Sequence, residues 1–345
     1  MKTSTESIEA HAIDIGGPLP TAASDTVGLL AAGACPAVKP AYLLPAASKR
    51  WSHGLDWSAV LWITLVHVGA LAAPFVFTWK GLLLFLALSW LTGGLGVCLG
   101  YHRLLAHLSF QTYPVVRRLL ASLGALAGQG PPVTWIGVHR KHHQFTDVRG
   151  DPHSPREGAW WSHVLWLFPR PHEPQWTKMI RRYGKDLAGD PFMRLLDKTY
   201  LVWHLLLGAV VLAAGWLGWG LFTGLSFLVY GMFLRLVWVM HVTWAVNSAS
   251  HIWGYRNYDT PDDSRNLWWV GLLAYGEGWH NNHHAFSNCA RHGHRWWEID
   301  MTYMAICVME KLGLAWDVRR ERRPGARALL TSGMRGHDQS PSTND

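Results

Sequence analysis

The pentapeptide His139-Arg140-Lys141-His142-His143 has the form H-x-x-H-H, and the form recurs as His280-Asn281-Asn282-His283-His284. On an α-helix, positions i, i+3 and i+4 share one face. Each stretch therefore offers three imidazoles side by side, and neutral imidazole is the commonest metal ligand in proteins. A single triplet would pass as a pH-sensitive or accidental surface feature. Two of the same pattern, far apart in the chain, imply one site assembled from both halves.

Two more histidine features accompany them. His102 and His107 bracket Arg103-Leu104-Leu105-Ala106. At ~100° per residue an i,i+5 pair on an α-helix is ~140° apart. Either the pair straddles two metal ions or the helix distorts there. Asn247-Ser248-Ala249-Ser250-His251 brings Asn247 and His251 together at i,i+4. The clustered imidazoles are then nine: His102, His107, His139, His142, His143, His251, His280, His283 and His284. One zinc site uses three or four protein ligands, and the H-E-x-x-H pattern of metalloproteases is absent. Two metal ions held mainly by nitrogen fit the count best. Imidazole suits iron, copper, zinc and nickel, so the ligands alone leave the metal open.

The other eleven of the 20 histidines have plainer readings. His67, His204 and His241 lie inside apolar runs, where haem ligation is the competing use, and that use would leave the clustered nine unexplained. His153, His163, His172, His292 and His294 are expected in loops as hydrogen-bond partners or supports of the ligands. His11, His53 and His337 lie towards the termini and read as incidental.

The elements that must position these residues are apolar. Of 345 residues, 49% are hydrophobic and 16% charged, against ~25% charged in an average soluble chain. Mean hydropathy is only +0.04, so polar segments offset long apolar ones. Twenty-two tryptophans suit membrane–water interfaces. Four uncharged or nearly uncharged runs are long enough to cross ~30 Å of hydrocarbon: about 58–79, 82–101, 201–219 and 221–246. Arg235 interrupts the last of them, as a functional intramembrane charge or as one that snorkels to the surface. The apolar segment 115–130 is shorter, carries Arg117-Arg118, and reads as interfacial or re-entrant. Residues 134–198 read as a polar region on the membrane surface, 257–265 as a turn-rich loop, and 296–316 as an amphipathic helix.

Net charge is +8 from 31 Lys+Arg, which we read as a membrane-face signal rather than a nucleic-acid one. Outside the two tails, 102–198 and the residues after 247, only Lys80 and Arg235 are basic. The positive-inside rule then places both termini and every histidine cluster in the cytoplasm. Cys35, Cys98, Cys289 and Cys307 show no C-x-x-C spacing and read as free thiols. Residues 1–50 lack apolar periodicity and the pattern of a signal peptide, and are expected to form a tail without a packed core. Residues 51–318 form the membrane domain, and 319–345 a basic tail. The fold class is thus all-α, with four transmembrane helices and a cytoplasmic, largely helical cap holding a histidine-rich dimetal site.

The three boxes His102–His107, His139–His143 and His280–His284, with Asn247–His251, resemble those of the membrane-bound fatty acid desaturases, in particular the Δ9, stearoyl-type branch. The likeness runs from about Trp51 to Trp316. It includes Gly100-Tyr101-His102-Arg103, the run from His139 to Phe145, and Gly276-Glu277-Gly278-Trp279 before the third box.

The resemblance implies a di-iron centre with the nine histidines as ligands and Asn247 contacting one iron through water. It implies O2 as co-substrate and a cis double bond placed in a saturated acyl chain. Gln129, Trp135, Thr243 and Trp244 match residues that bend the acyl tunnel in the family, and packing within a helix bundle is their plainer role. Relatives that use acyl-CoA carry Arg-Asp where this chain has Gly137-Val138, and a basic pair where it has Arg170-Pro171. These departures, with the Asn-Asn of the third box and Arg291-His292-Gly293, resemble bacterial acyl-lipid members and imply a bacterial inner-membrane protein.

No haem-binding motif of the cytochrome b5 type is present, so electrons are expected from a separate ferredoxin-like or cytochrome b5-like protein. The acyl carrier stays open between lipid, acyl carrier protein and CoA. A hydroxylase using the same site is the first competing function. A metal-binding or metal-transporting membrane protein is the second, although transport favours ligands near the bilayer midplane.

Overall fold

The computed structural model describes residues 50–320. The tails expected over 1–50 and 319–345 therefore lie outside the described residues, apart from Arg50, Arg319 and Arg320.

Helix α1 (Trp57–Ala70) starts at Asp56, whose carboxylate accepts from the amides of Ser58 and Ala59. It is apolar but only 14 residues long, about 21 Å at 1.5 Å per residue. The single run expected over 58–79 is broken because Pro74 opens a 3-10 turn, Ala73–Val76, and proline lacks the amide a helix interior needs. Helix α2 (Trp79–Ala106) follows, with the Thr78 side chain as its cap. Among the described residues, three helices are long and apolar enough to cross a membrane: α2 and the later α9 (Tyr200–Trp219) and α10 (Leu221–Ile252).

From Trp90 to Ala106, α2 runs as a π-helix. Gly96 and Gly100 let helix α3 (Pro114–Ala125) lie directly against it. A Cβ on Gly96 would fall 2.5 Å from the Gly124 amide nitrogen. The α3 segment is the one expected to be interfacial or re-entrant. Pro131-Pro132 then opens α4 (Pro132–Phe145), which carries the first histidine triplet.

A polar stretch of short helices follows: α5 (Ala159–His163), α6 (Gln175–Tyr183), α7 (Lys185–Ala188) and α8 (Pro191–Lys198). Leu201, Leu205, Val210 and Leu217 of α9 are exposed apolar residues, as a lipid-facing helix requires. A turn at Gly220, with φ +90°, reverses the chain into α10, the most buried of the long helices. Lys80 Nζ lies 5.5 Å from the Trp219 ring centre, so the turn before α2 and the turn after α9 meet at one end of the bundle.

Arg235 is 0% exposed and does not snorkel. Its guanidinium donates to Leu126 O (2.7 Å), Gly231 O (2.7 Å) and Thr92 Oγ1 (2.9 Å). Leu126 is the C-cap of α3. A cation there satisfies an open carbonyl and opposes the helix dipole, both costly to leave bare in an apolar medium.

The remaining helices are α11 (Trp268–Leu273), α12 (His280–Ala285) with the second triplet, and α13 (Met301–Lys311). The helix expected over 296–316 is shorter than the pattern suggested. Asp300, fixed by Arg103, caps its start by accepting from the Tyr303 amide. Gly313 (φ +71°) ends it, and Ala315–Trp316 pairs antiparallel with Gln111–Thr112 as a two-stranded ribbon.

Candidate metal centre

The π-helical stretch removes the difficulty with the first box. An i→i+5 bond runs from the His107 amide to His102 O (3.1 Å), which stacks residues five apart on one face. Their ring centres are 4.8 Å apart, so the pair does not straddle the site. Both join one group.

The nine imidazoles divide into two groups that could each hold a metal ion. His102, His107, His139, His143 and His283 form the first; His142, His251, His280 and His284 form the second. Each triplet is split between them in the opposite sense. On α4 the i,i+4 pair His139 and His143 goes to the first group and His142 to the second. On α12 the i,i+4 pair His280 and His284 goes to the second and His283 to the first. The ring nitrogens converge: Nε2 of His283 lies 3.1 Å from that of His102 and 3.0 Å from that of His143, and His107 and His139 meet at 2.8 Å.

Four carboxylates orient the rings from behind. Glu277 lies 2.6 Å from His102 Nδ1, Asp151 3.0 Å from His142 Nδ1, Asp147 2.9 Å from His251 Nδ1 and Asp262 3.1 Å from His284 Nδ1. With Nδ1 occupied, Nε2 is the nitrogen left to face inward, the usual arrangement behind metal-bound histidine. Glu277 also lies 3.1 Å from His292 Nδ1 and is paired with the buried Arg103. Burial alone would raise its pKa, but Arg103, then His102 and His292, hold it well below the carboxylate range.

The donors present fit a metal. Burial holds His139, His143, His280 and His283 well below the ordinary imidazole pKa, which favours the neutral, metal-ligating form. Nε2 of His251, Nε2 of His284 and both ring nitrogens of His280 are buried with no hydrogen-bond partner among the described residues. Each such orphan costs roughly 1–3 kcal/mol, and a cation between the rings would relieve it.

Asn247 ends the straight part of α10, one turn before His251, and is partly buried. Gln129 Nε2 and Thr243 Oγ1 both donate to Val239 O, at 3.1 and 2.8 Å. Trp135 stacks on His139 with ring centres 5.0 Å apart. Trp244 is buried in a different apolar cluster, with Val66, Met232, Leu236 and Met240. Asn281 and Asn282 are fully buried ties: Asn281 Oδ1 accepts from the amides of Asn257 and Tyr258, and Asn282 Oδ1 from the side chains of Asn257 and Asn266. They hold the 257–266 loop that delivers Asp262.

Sequence reasoning missed the four carboxylates. Glu277, Asp147 and Asp151 stand within about ten residues of a box, which is a usable signal once a histidine site is suspected. Asp262 had none.

The described residues thus combine three helices apolar enough to cross a membrane with two imidazole groups that could each hold a metal ion, braced by carboxylates. Residues 77–313 match the family described as fatty acid desaturase, and the chain belongs to that family. It is 46% identical over 267 residues to an sn-1 stearoyl-lipid 9-desaturase of Anabaena variabilis, covering 77% of this chain and 94% of that protein. An sn-2 palmitoyl-lipid 9-desaturase of Nostoc sp. (strain 36) is 45% identical over 277 residues, covering 80% and 94%. An acyl-CoA C20 Delta5-desaturase of Anemone leveillei is 41% identical over 271 residues, covering 79% and 84%. The protein is thus an oxidoreductase that introduces a double bond into fatty-acyl chains.

Proposed function

We propose that this chain is a Δ9 acyl-lipid desaturase that uses two iron ions and O2, with electrons from a separate ferredoxin-like or cytochrome b5-like donor. The observation that carries the reading is the division of nine buried or partly buried imidazoles into groups of five and four, with Nε2 of His251, His280 and His284 in the second group left unpartnered. His102, His107, His139, His143 and His283 would hold one iron. His142, His251, His280 and His284 would hold the other, with Asn247 reaching it through water. When bound, the irons supply the O2 activation needed to remove hydrogen from an unactivated methylene pair.

The chain's own residues orient and exclude. Glu277, Asp147, Asp151 and Asp262 fix the ring planes. Trp135, against His139, forms a wall beside the first group. Gln129 and Thr243, joined on the Val239 carbonyl, stiffen the neighbouring stretch of tunnel, and Trp244 packs behind it. In the proposed topology α1 and the turn at Ala73–Val76 complete a fourth crossing, the domain spans 51–318 between two tails, and termini and centre face the cytoplasm.

The preferred carrier is membrane lipid. Gly137 and Val138 stand where acyl-CoA enzymes carry charge, and both are buried. A Cβ on Gly137 would sit 3.2 Å from Ile180 Cδ1, so this spot is packed against α6 and offers nothing to a phosphate. Phosphates are ordinarily held by Arg or Lys. The experiment is expression in a host lacking Δ9 desaturation, with double bonds mapped by mass spectrometry. Purified enzyme is then offered stearoyl-lipid and stearoyl-CoA in matched amounts. Hydroxylated product would favour the competing chemistry, and conversion of the CoA ester alone would overturn the lipid reading.

A further inference from the structure

Each metal group has one further imidazole behind it. His292, 1% exposed, stands beside the first group, with its ring centre 4.4 Å from that of His283 and 5.4 Å from that of His102. His153, 4% exposed, stands beside the second, with its ring 4.4 Å from that of His142 and 30° out of parallel. Among the described residues, His292 makes no ring contact with the second group and His153 makes none with the first.

Each also stands against the carboxylate that backs a ligand of its own group. Glu277 Oε2 lies 2.6 Å from His102 Nδ1 and 3.1 Å from His292 Nδ1, while Arg103 takes the other oxygen. The His292 amide donates to Asp300 Oδ2 (2.7 Å), which fixes the residue in that place. Asp151 Oδ1 lies 3.0 Å from His142 Nδ1 and accepts from the His153 amide (3.1 Å). It is 3.9 Å from His153 Nδ1, too far for a hydrogen bond. The two outer rings therefore act through different atoms. His292 meets its carboxylate with a ring nitrogen, whereas His153 is stacked on His142 and has Trp166 as its other ring neighbour, 5.2 Å away. His292 Nε2 and His153 Nδ1 are buried without a hydrogen-bond partner among the described residues. Leucine or phenylalanine would fill either place without that cost, so packing alone does not account for an imidazole at both.

We propose that His292 and His153 are positioning residues, one for each metal ion, and that each sets the affinity of its own ion. His292 does so by steadying Glu277 behind His102, and His153 by holding the ring plane of His142. The inference rests on the two-ion reading above. A histidine ligand gains affinity when its ring is already turned towards the metal, and the groups behind it decide that orientation. A carboxylate steadied from a second side fixes the ring it backs. A second ring laid on the face of a ligand does the same by contact. Because each outer imidazole touches one group only, its loss falls on one ion and spares the other.

The test uses purified full-length protein in detergent, loaded anaerobically with ferrous iron. Release of each ion to a graded chelator is followed by elemental analysis, beside thermal unfolding. His292→Gln keeps a donor for Glu277 without the ring, and His292→Phe keeps a ring without the donor. His153→Phe keeps a ring on His142, and His153→Gln does not. His292→Phe and His153→Gln should each weaken one of the two ions by ~10- to 100-fold, and the other two variants should stay within about threefold of the wild type. Joining His292→Phe to His153→Gln should weaken both ions, as two residues serving different ions require. His292→Leu, which lacks the bulk of phenylalanine, replaces His292→Phe if that variant does not fold. Both ions unchanged in His292→Phe, or its leucine substitute, and in His153→Gln would overturn the proposal. Equal weakening of both ions in either single variant would also overturn it, since general loosening of the fold gives that result. So would equal loss in all four variants, the mark of packing alone. A wild type holding fewer than two ions removes the paired centre, and this inference with it.

Discussion

Replacing Glu277 by Gln tests how the first histidine group is held. Glu277 receives Arg103 Nε at 3.2 Å and Nη2 at 2.9 Å, and stands 2.6 Å from His102 Nδ1. A glutamine has one oxygen and one NH2. If its oxygen accepts from His102, its NH2 faces the guanidinium, donor to donor; the reverse orientation strands the His102 N–H. One contact fails either way. Removing one partner of a buried ion pair costs ~3–5 kcal/mol. Arg103 keeps both oxygens of Asp300 and the Ala290 carbonyl, so we expect the lower end. Losing the carboxylate behind a metal-bound histidine weakens metal affinity by ~10- to 100-fold, or about 1.4–2.7 kcal/mol.

Asp300→Asn is the control. It disturbs the same guanidinium but does not touch His102. The assay is competition for iron against a graded chelator, read by elemental analysis, beside thermal unfolding in detergent. Both variants should melt earlier, and only Glu277→Gln should lose affinity. Equal metal affinity for Glu277→Gln and the wild type, or equal loss in both variants, would refute the view that this carboxylate works through His102.

Three further outcomes are expected. His142→Ala and His283→Ala should each stop desaturation with the fold retained, and metal analysis of active wild type should find two ions per chain; one ion would rule out the paired centre. Cysteines introduced at Lys80 and Gly218, in a chain with Cys35 and Cys307 replaced by serine, should react only from the side opposite the termini, and cytoplasmic labelling would sink the topology. Burial raises the Asp197 carboxyl to about 6, against a weaker opposing hydrogen bond from the Val133 amide. The folded state therefore holds this proton more tightly than the unfolded chain, and the residue's contribution to stability falls as pH rises from ~4 to 6. Asp197→Asn should raise the melting temperature at pH 8 and leave it unchanged near pH 4, and equal shifts at both would contradict the assignment.

Much of the centre was legible because its ligands obey helix arithmetic. His139, His142 and His143 announce a shared face within five residues, and a second copy announces a partner. The His102–His107 pair was only half legible, since α-helical spacing separates the two rings and nothing local announces the π-helix from Trp90 to Ala106. The extent of the first apolar run was misjudged because its composition is uniform while Pro74 breaks its hydrogen bonding. The end of the molecule around Asp300 was misread for a different reason. There a tertiary contact with Arg103, nearly two hundred residues earlier, decides where the helix begins. The hydrogen-bonded run His67–His241–His163–Ser248 was illegible for the same reason: its members are separated by 174, 78 and 85 residues at successive links.

The guanidinium of Arg235 on the C-cap carbonyl of α3 has a consequence for biogenesis. Leu126 and Arg235 are 109 residues apart. At the ~5–20 residues per second of ribosomal synthesis, the acceptor waits roughly 5–20 s for its donor. Throughout that interval the helix end at Leu126 lacks the donor that satisfies it in the finished fold. Shielding that end until α10 is made is a task that falls to synthesis and insertion rather than to the finished bundle.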